Sequence, residues 1–195
     1  NETSEFDSKS DVTNGIAIMT QRALTLNSFI KEYQSLSRLP QPSKSVFSLT
    51  LLIKQQASLF PKLNITFSDS DNIDVYSDPD QISQVIVNLL KNACQAMEHN
   101  SQPTITISQK HSNEYLQLNM IDNGCGISNP DNLFIPFYTT KKDGSGIGLV
   151  LSRQIMFNHG GDLSLTNKPT HDGAIASLLL PYMIKSNEKD EINHR

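Results

Sequence analysis

The residues best placed to do chemistry are the alternating glycines of Lys141-Lys142-Asp143-Gly144-Ser145-Gly146-Ile147-Gly148-Leu149-Val150. Gly144, Gly146 and Gly148 admit left-handed backbone angles and let the chain approach a ligand with no Cβ in the way. Residues from Leu149 to Phe157 read as helix, so unpaired N–H groups point back at the glycines. A helix start of that kind, with lysines just upstream, is a ready anion site. Taken alone, a Gly-Ser-Gly loop is more often a flexible turn. The nucleotide reading therefore needs a metal ligand and an adenine pocket from the rest of the chain.

Asn88 and Asn92 offer the first. They are four apart, so both amides project from one stripe of a helix expected from Pro79 to Met97. The same helix carries Ile82, Val85, Ile86, Leu89, Leu90 and Ala93 on its apolar side. A lone helical asparagine is usually a surface residue, but an amide buried without partners costs about 1–3 kcal/mol. A neutral carbonyl oxygen can ligate Mg²⁺ while phosphates supply the charge. Ile121-Asp122-Asn123-Gly124-Cys125-Gly126-Ile127 offers the second. Asp122 closes a strand and is an acceptor-only carboxylate suited to the exocyclic amine of adenine, with Gly124 and Gly126 allowing close approach of the base. The competing reading is a plain Asp-Asn-Gly turn. Between the glycine segments runs Leu133-Phe134-Ile135-Pro136-Phe137-Tyr138-Thr139-Thr140-Lys141. So dense an aromatic loop is expected to pack on something, and a lid over a ligand is one answer. Lys141 could reach a terminal phosphate, with Thr139 and Thr140 as hydroxyl donors.

Two layers of structure must hold these groups. Strands are expected at Val46 to Leu49, Leu63 to Ser68, Asp74 to Tyr76, Thr104 to Gln109, Tyr115 to Ile121, Asp162 to Thr166 and Ala174 to Leu180, with a helix from Leu51 to Phe60. Helices alternating with mostly paired strands give an α+β class, a two-layer α/β sandwich with helices on one face. Upstream, Val12, Ile16, Met19, Ala23, Leu26, Ile30 and Tyr33 step by fours and threes along a helix from Asp11 to Ser37, widened by Phe29 and Leu36. That seam of about three heptads fits either a helix packed on its own domain or one half of a helical hairpin or dimer bundle. Arg38-Leu39-Pro40-Gln41-Pro42 breaks it. The expected division is 1–42 for helix and linker, 43–184 for a catalytic domain and 185–195 for a polar tail.

The chain has 195 residues, 37% of them hydrophobic, and a net charge of −4. That balance lacks the basic footprint of a nucleic-acid binder. Cys94 and Cys125 lie in apolar or glycine-rich motifs, so reduced thiols are expected rather than a disulfide. No apolar run reaches about 18 residues. The first residue is Asn1, not methionine, so an excised fragment is expected, and a membrane segment in its parent stays open.

The Asn88/Asn92 helix, the Asp122 turn, the aromatic loop and the Gly144–Gly148 loop resemble, in that order, the N, G1, F and G2 boxes of the sensor histidine kinase ATP-binding domain. His159-Gly160-Gly161-Asp162-Leu163 and Asp172-Gly173-Ala174 through Leu180-Pro181 are similar to the family's usual ending, so the likeness covers about residues 46 to 181. The segment Leu24 to Pro42 is similar to the second helix of the dimerisation and phosphotransfer hairpin. Phe137-Tyr138-Thr139-Thr140-Lys141 resembles the nitrogen-regulation branch. The resemblance implies a Bergerat-type fold binding ATP and Mg²⁺, with Asn92 as the metal ligand and Asn88 assisting at the phosphates or metal. Asp122 would bind the adenine amine in a turn shaped by Gly124, Gly126 and Ile127. Lys141 and the N–H groups of Gly146, Ile147 and Gly148 would hold the phosphates, with Thr140, Gly144, Ser145 and Leu149 also lining the nucleotide site. Ala96 stands where some relatives place an aromatic that stacks on adenine, so apolar contacts would have to serve. Catalytic roles fall to Asn88, Asn92 and Lys141.

Related chaperone, gyrase and mismatch-repair ATPases of this fold place a glutamate four residues before the metal asparagine, as a base for water. Here that position is Asn88, an amide that takes no proton near neutral pH, which favours transfer over hydrolysis. Of the histidines His99, His111, His159, His171 and His194, none is a plausible acceptor, and His159 before two glycines reads as structural. The acceptor helix is expected upstream of Asn1. The resemblance further implies a response regulator receiver domain as partner, a homodimer through the hairpin, and a cytoplasmic place with a membrane-anchored parent left open. The alternative is a non-catalytic nucleotide-sensing module of the same fold.

Overall fold

A computed structural model describes residues 12–24, 26–27, 30, 34, 39–68, 72–112, 114–141, 144–170 and 172–181. Alternation along the strands decides the architecture. The strands are β1 (Ser45–Ser48), β2 (Asn64–Phe67), β3 (Asp74–Ser77), β4 (Thr104–His111), β5 (Tyr115–Asp122), β6 (Asp162–Asn167) and β7 (Ala174–Pro181). Five of them form one mixed sheet in the order β2-β4-β5-β7-β6, with β2 parallel to β4 and the other pairs antiparallel. β1 and β3 make a separate antiparallel pair. In the large sheet Ile107 stands opposite Met120, and Leu118 and Leu163 both stand opposite Leu178; all five are buried. The intervening positions put Lys110 opposite Gln117, Ser108 opposite Asn119 and Asn119 opposite Ser177. These polar groups bond among themselves, Ser177 Oγ and Gln117 Nε2 donating to Asn119 Oδ1 at 2.8 and 3.0 Å. A sheet with one apolar and one polar face is covered on one side only, which yields two layers rather than three.

The apolar face is covered by α1 (Leu49–Ala57), α2 (Pro79–Ala96) and α3 (Gly148–Asn158). Their buried residues Ile53, Ile82, Val85, Ile86, Leu90, Ile155 and Met156 join the strand residues in one core. The α+β sandwich expected from the pattern is therefore the observed fold, with element limits within a few residues. A 3₁₀ turn at Pro130–Asn132 was not expected.

Asp78 is the junction that sets α2 in place. Its Oδ1 accepts from the N–H groups of Asp80 and Gln81 at 3.0 and 3.1 Å, the N-cap of a helix that has Pro79 in its first turn. Its Oδ2 accepts from Ser43 N–H at 2.7 Å, and Gln81 Nε2 donates to the Pro40 carbonyl at 3.1 Å, so the linker is bound to the same helix end. The N–H of Asp78 donates to His159 Nε2 at 3.2 Å, and His159 Nδ1 lies 2.8 Å from the Ile155 carbonyl. An N–H can only donate, so Nε2 is bare and the proton sits on Nδ1. His159, only 2% exposed, is the structural residue its sequence context implied.

Upstream, residues 12–24 are helical, and the seam they carry is uncovered: Val12, Ile16 and Met19 are 61%, 60% and 73% exposed. Among the described residues this helix does not pack on its own domain. Phe29, Tyr33, Leu36 and the 185–195 tail fall outside the described residues.

Burial lowers the His159 pKa, with the charge of Lys44 acting the same way; the Ile155 carbonyl and Asp78 oppose them and are outweighed. Protonation would also remove the acceptor from Asp78 N–H. A group whose folded pKa is depressed contributes stability that is complete above its unfolded pKa of about 6.5 and is lost as pH falls through the folded value. Urea unfolding from pH 8 to 5 should therefore show falling stability below about 6.5. His159→Leu should be less stable at pH 8 but should lack that slope.

Candidate nucleotide site

Because the apolar stripe of α2 is fixed in the core, its other side faces a groove between the helix, the turn after β5 and the loop before α3. Asn88, Asn92 and Gln95 lie at i, i+4 and i+7 on that side. Asn88 Nδ2 donates to Ser152 Oγ at 2.9 Å and so ties α2 to α3. Its Oδ1 meets the start of α3 so closely that a Cβ on Gly148 would stand 2.5 Å away. Only glycine allows this approach. Gly146, at φ 70, turns the loop against Phe137, whose N–H donates to the Gly146 carbonyl at 3.1 Å.

α3 begins without a side-chain cap. Ile147 occupies the cap position with its side chain wholly buried, and Ser145 Oγ accepts from its N–H at a long 3.4 Å. Helical pairing starts only at Leu151, whose N–H donates to the Ile147 carbonyl at 2.9 Å. The N–H groups of Gly148, Leu149 and Val150 are thus free of helical partners and carry the positive end of the helix dipole. Ser145 and Gly144 are half-buried beside them, and Leu149 packs against the core edge.

At the end of β5, Asp122 Oδ1 accepts from the N–H groups of Gly124 and Ala174 at 2.9 and 3.1 Å. Both bonds go to one oxygen, which fixes the carboxylate and leaves Oδ2 without a protein partner among the described residues. An amine donor fits that oxygen. The turn is clamped from three sides. Cys125 N–H donates to the Ala96 carbonyl at 3.1 Å. Asn123 Oδ1 accepts from Thr104 N–H at 2.9 Å. Asn167 takes Ile127 at both ends, Oδ1 accepting from its N–H at 2.6 Å and Nδ2 donating to its carbonyl at 2.9 Å. Gly126 packs against the same asparagine. Ala96 abuts Gly124, so the helix end and the turn share one wall. Asn167, Asn123 and Ser152 were missed by sequence reasoning. Their partners are distant backbone or a facing helix, and no local spacing signals that.

Lys141 completes the groove. Its Nζ lies 2.6 Å from Asn92 Oδ1 and 2.5 Å from Gln95 Oε1. The amide oxygen expected from the sequence to ligate a metal accepts from this ammonium. Loss of solvent lowers the Lys141 pKa, with Lys91 acting the same way and Cys125 opposing. Thr139 Oγ1 accepts from Lys141 N–H at 3.1 Å, while Thr140 is exposed. Both cysteines are free thiols, Cys125 exposed at the turn.

The aromatic loop packs only in part. Phe134 lies under the Arg153 guanidinium, 4.6 Å from its ring centre, and Arg153 also bonds Asp162 at 3.0 Å. Ile135, Phe137 and Tyr138 are 48%, 46% and 37% exposed, contrary to the expectation that this loop must pack. The turn at Phe137, in the left-handed region at φ 68, points the chain outward at a strain of about 1–3 kcal/mol.

A one-sided sandwich with an open helix start, a half-free aspartate and an amide-lined helix is the nucleotide-binding architecture of a known class. The chain belongs to the histidine kinase-, DNA gyrase B- and HSP90-like ATPase family, whose family model matches residues 77–184, and is of the sensor histidine kinase kind. It is 34% identical over 142 residues to the signal transduction histidine-protein kinase AtoS of Escherichia coli (strain K12), covering 71% of this chain and 23% of that protein. It is 30% identical over 162 residues to the nitrogen regulation protein NtrY of Azorhizobium caulinodans, covering 77% of this chain and 21% of that protein. It thus spans less than two-fifths of the length of such curated relatives. Among solved structures, the catalytic domain of histidine kinase ThkA superposes with a TM-score of 0.63 at 27% identity, over 71% of this chain and 95% of that one. ThkA has also been solved in complex with the response regulator protein TrrA, at 24% identity and a TM-score of 0.67 over 85% of this chain and 50% of that one.

Asp122→Asn replaces a charged acceptor with an amide. It should reduce the preference for ATP over GTP by about 1–3 kcal/mol in calorimetric titration. Gly148→Ala should push Asn88 off Ser152 and weaken both nucleotide binding and thermal stability.

Proposed function

We propose that this chain binds Mg-ATP and donates the γ-phosphoryl to a histidine outside its own sequence, for relay to an aspartate of a response regulator receiver domain. The observation that carries the reading is the Lys141 ammonium seated on Asn92 of the helix whose Asn88 abuts the open start of α3, with Asp122 Oδ2 lacking a protein partner among the described residues. ATP is the substrate that the family binds. Asp122 would fix adenine through its amine, and Lys141 with the α3 start would hold the phosphates, charge against charge.

Mg²⁺ would be held by Asn92 Oδ1 together with phosphate oxygens, where it would offset phosphate charge. The amide fits that duty because it already receives an ammonium. Among the described residues no three His, Cys, Asp or Glu side chains cluster, so the anionic ligands would come from the nucleotide. Asn88 is engaged with Ser152 and carries no proton-accepting group, so no base for water stands at that position. Transfer is favoured over hydrolysis. His159 is no acceptor, being buried with both ring nitrogens bonded.

The uncovered Val12, Ile16 and Met19 seam supports a homodimer through a helical bundle, and the ThkA–TrrA complex supports a receiver-domain partner. Among the described residues no helix is long and apolar enough to cross a membrane. A cytoplasmic place is part of the proposal because a response regulator partner is, and it does not rest on that absence.

The chain alone should bind Mg-ATP and incorporate no phosphate from γ-labelled ATP. Joined to the preceding helical segment of its natural sequence, it should label on histidine. Asn92→Ala should remove the Mg²⁺ dependence of ATP binding. ATP-dependent protection of the 133–144 loop with no labelling in the longer chain would favour a nucleotide-sensing module instead. Steady phosphate release from the chain alone would favour an ATPase.

A further inference from the structure

Gln95 belongs to none of the motifs that mark the site in the sequence. In the structure it lies three residues beyond Asn92 on the same side of α2, and its Oε1 receives the Lys141 ammonium at 2.5 Å while Asn92 Oδ1 receives it at 2.6 Å. A lysine ammonium has three donors on a four-carbon stem with wide rotamer freedom. Both amides are contributed by α2, whose opposite side is locked in the core, so they form a two-point seat on a fixed backbone. Two donors are used there and the third remains for another acceptor.

We propose that Gln95 is a positioning residue, holding the Lys141 ammonium beside Asn92 where the terminal phosphate of ATP arrives. The inference rests on the proposed role of Lys141 at the phosphates. The chemistry of the seat suits that duty. A carboxamide is a neutral acceptor, so it orients the ammonium without cancelling its charge, and a phosphate oxygen can still compete for it. A carboxylate at the same place would neutralise the lysine and repel the phosphates. Asn92 cannot serve as the sole anchor, because its one carbonyl oxygen is also the group suited to a divalent cation. With Asn92 Oδ1 turned to that cation, Gln95 remains as the hold on Lys141.

The test compares Mg-ATP with Mg-ADP by calorimetric titration, using the chain and its Gln95→Leu, Gln95→Glu, Lys141→Met and Gln95→Leu/Lys141→Met variants. Gln95 and Lys141 are both exposed, and circular dichroism checks that each variant folds. Lys141→Met should lower ATP affinity about tenfold, as for loss of a charge-assisted hydrogen bond, and leave ADP unchanged. Gln95→Leu should lower ATP affinity by a smaller factor with ADP unchanged, and Gln95→Glu should lower it further. In the double variant the Gln95 effect should vanish, since there is no ammonium left to position.

If Lys141→Met leaves the ATP-to-ADP ratio unchanged, the phosphate role of Lys141 falls, and the inference with it. If Lys141→Met changes the ratio but Gln95→Leu does not, only the positioning role is overturned. That role also falls if Gln95→Leu weakens ATP and ADP equally, or if its effect persists in the double variant.

Discussion

The burial of one side of α2 is the constraint on which the rest of the site depends. Ile82, Val85, Ile86 and Leu90 are sealed against the sheet and α1, so the rotation of the helix about its own axis is not free. Once that rotation is set, the opposite stripe must present Asn88, Asn92 and Gln95 to the groove. Burying a Val, Leu or Ile side chain contributes about 1.5–3 kcal/mol each, so the four together outweigh the polar contacts on the other side. The core therefore decides where the amides point, and the amides do not have to hold the helix.

Asp78 performs the complementary task along the axis. It caps α2, binds the linker at Ser43 and, through its N–H, leans on His159 at the end of α3. The helix bearing the amides and the helix with the open start are thus referred to one residue. Asn88 and Ser152 repeat the connection nearer the groove. The two halves of the site are held at a fixed spacing by a polar frame outside the apolar core.

The electrostatic design of the groove is economical. Its acceptors are neutral amides and one carboxylate with a single oxygen unengaged among the described residues. Its donors are an ammonium and the open start of α3. A polyanionic nucleotide is complementary to those donors, whereas a cluster of acidic residues would repel it. Asn88, bonded to Ser152, is an amide that takes no proton near neutral pH, and under the proposed function this would favour phosphoryl transfer over hydrolysis.

Much of this was legible in the chain. The helix period placed Asn88 and Asn92 on one stripe, strand alternation gave a one-sided sheet, and the glycine spacing marked the turn after Asp122 and the start of α3. These signals are local, because 3.6- and 2-residue periods and the freedom of glycine act within a few residues. Gln95 was also on the stripe in sequence, but only the fold brought the Lys141 ammonium across from a loop 46 positions away. The same holds for Asn167 on Ile127 and His159 beneath Asp78, 40 and 81 positions apart. The outward turn of the aromatic loop at Phe137 contradicted the expectation of packing, because it depends on Gly146 meeting it from the other side. The sequence by itself determined the elements, their apolar faces and the chemical types available. Which polar groups meet was decided only by tertiary structure, because a hydrogen bond across the fold carries no periodic signature in the chain.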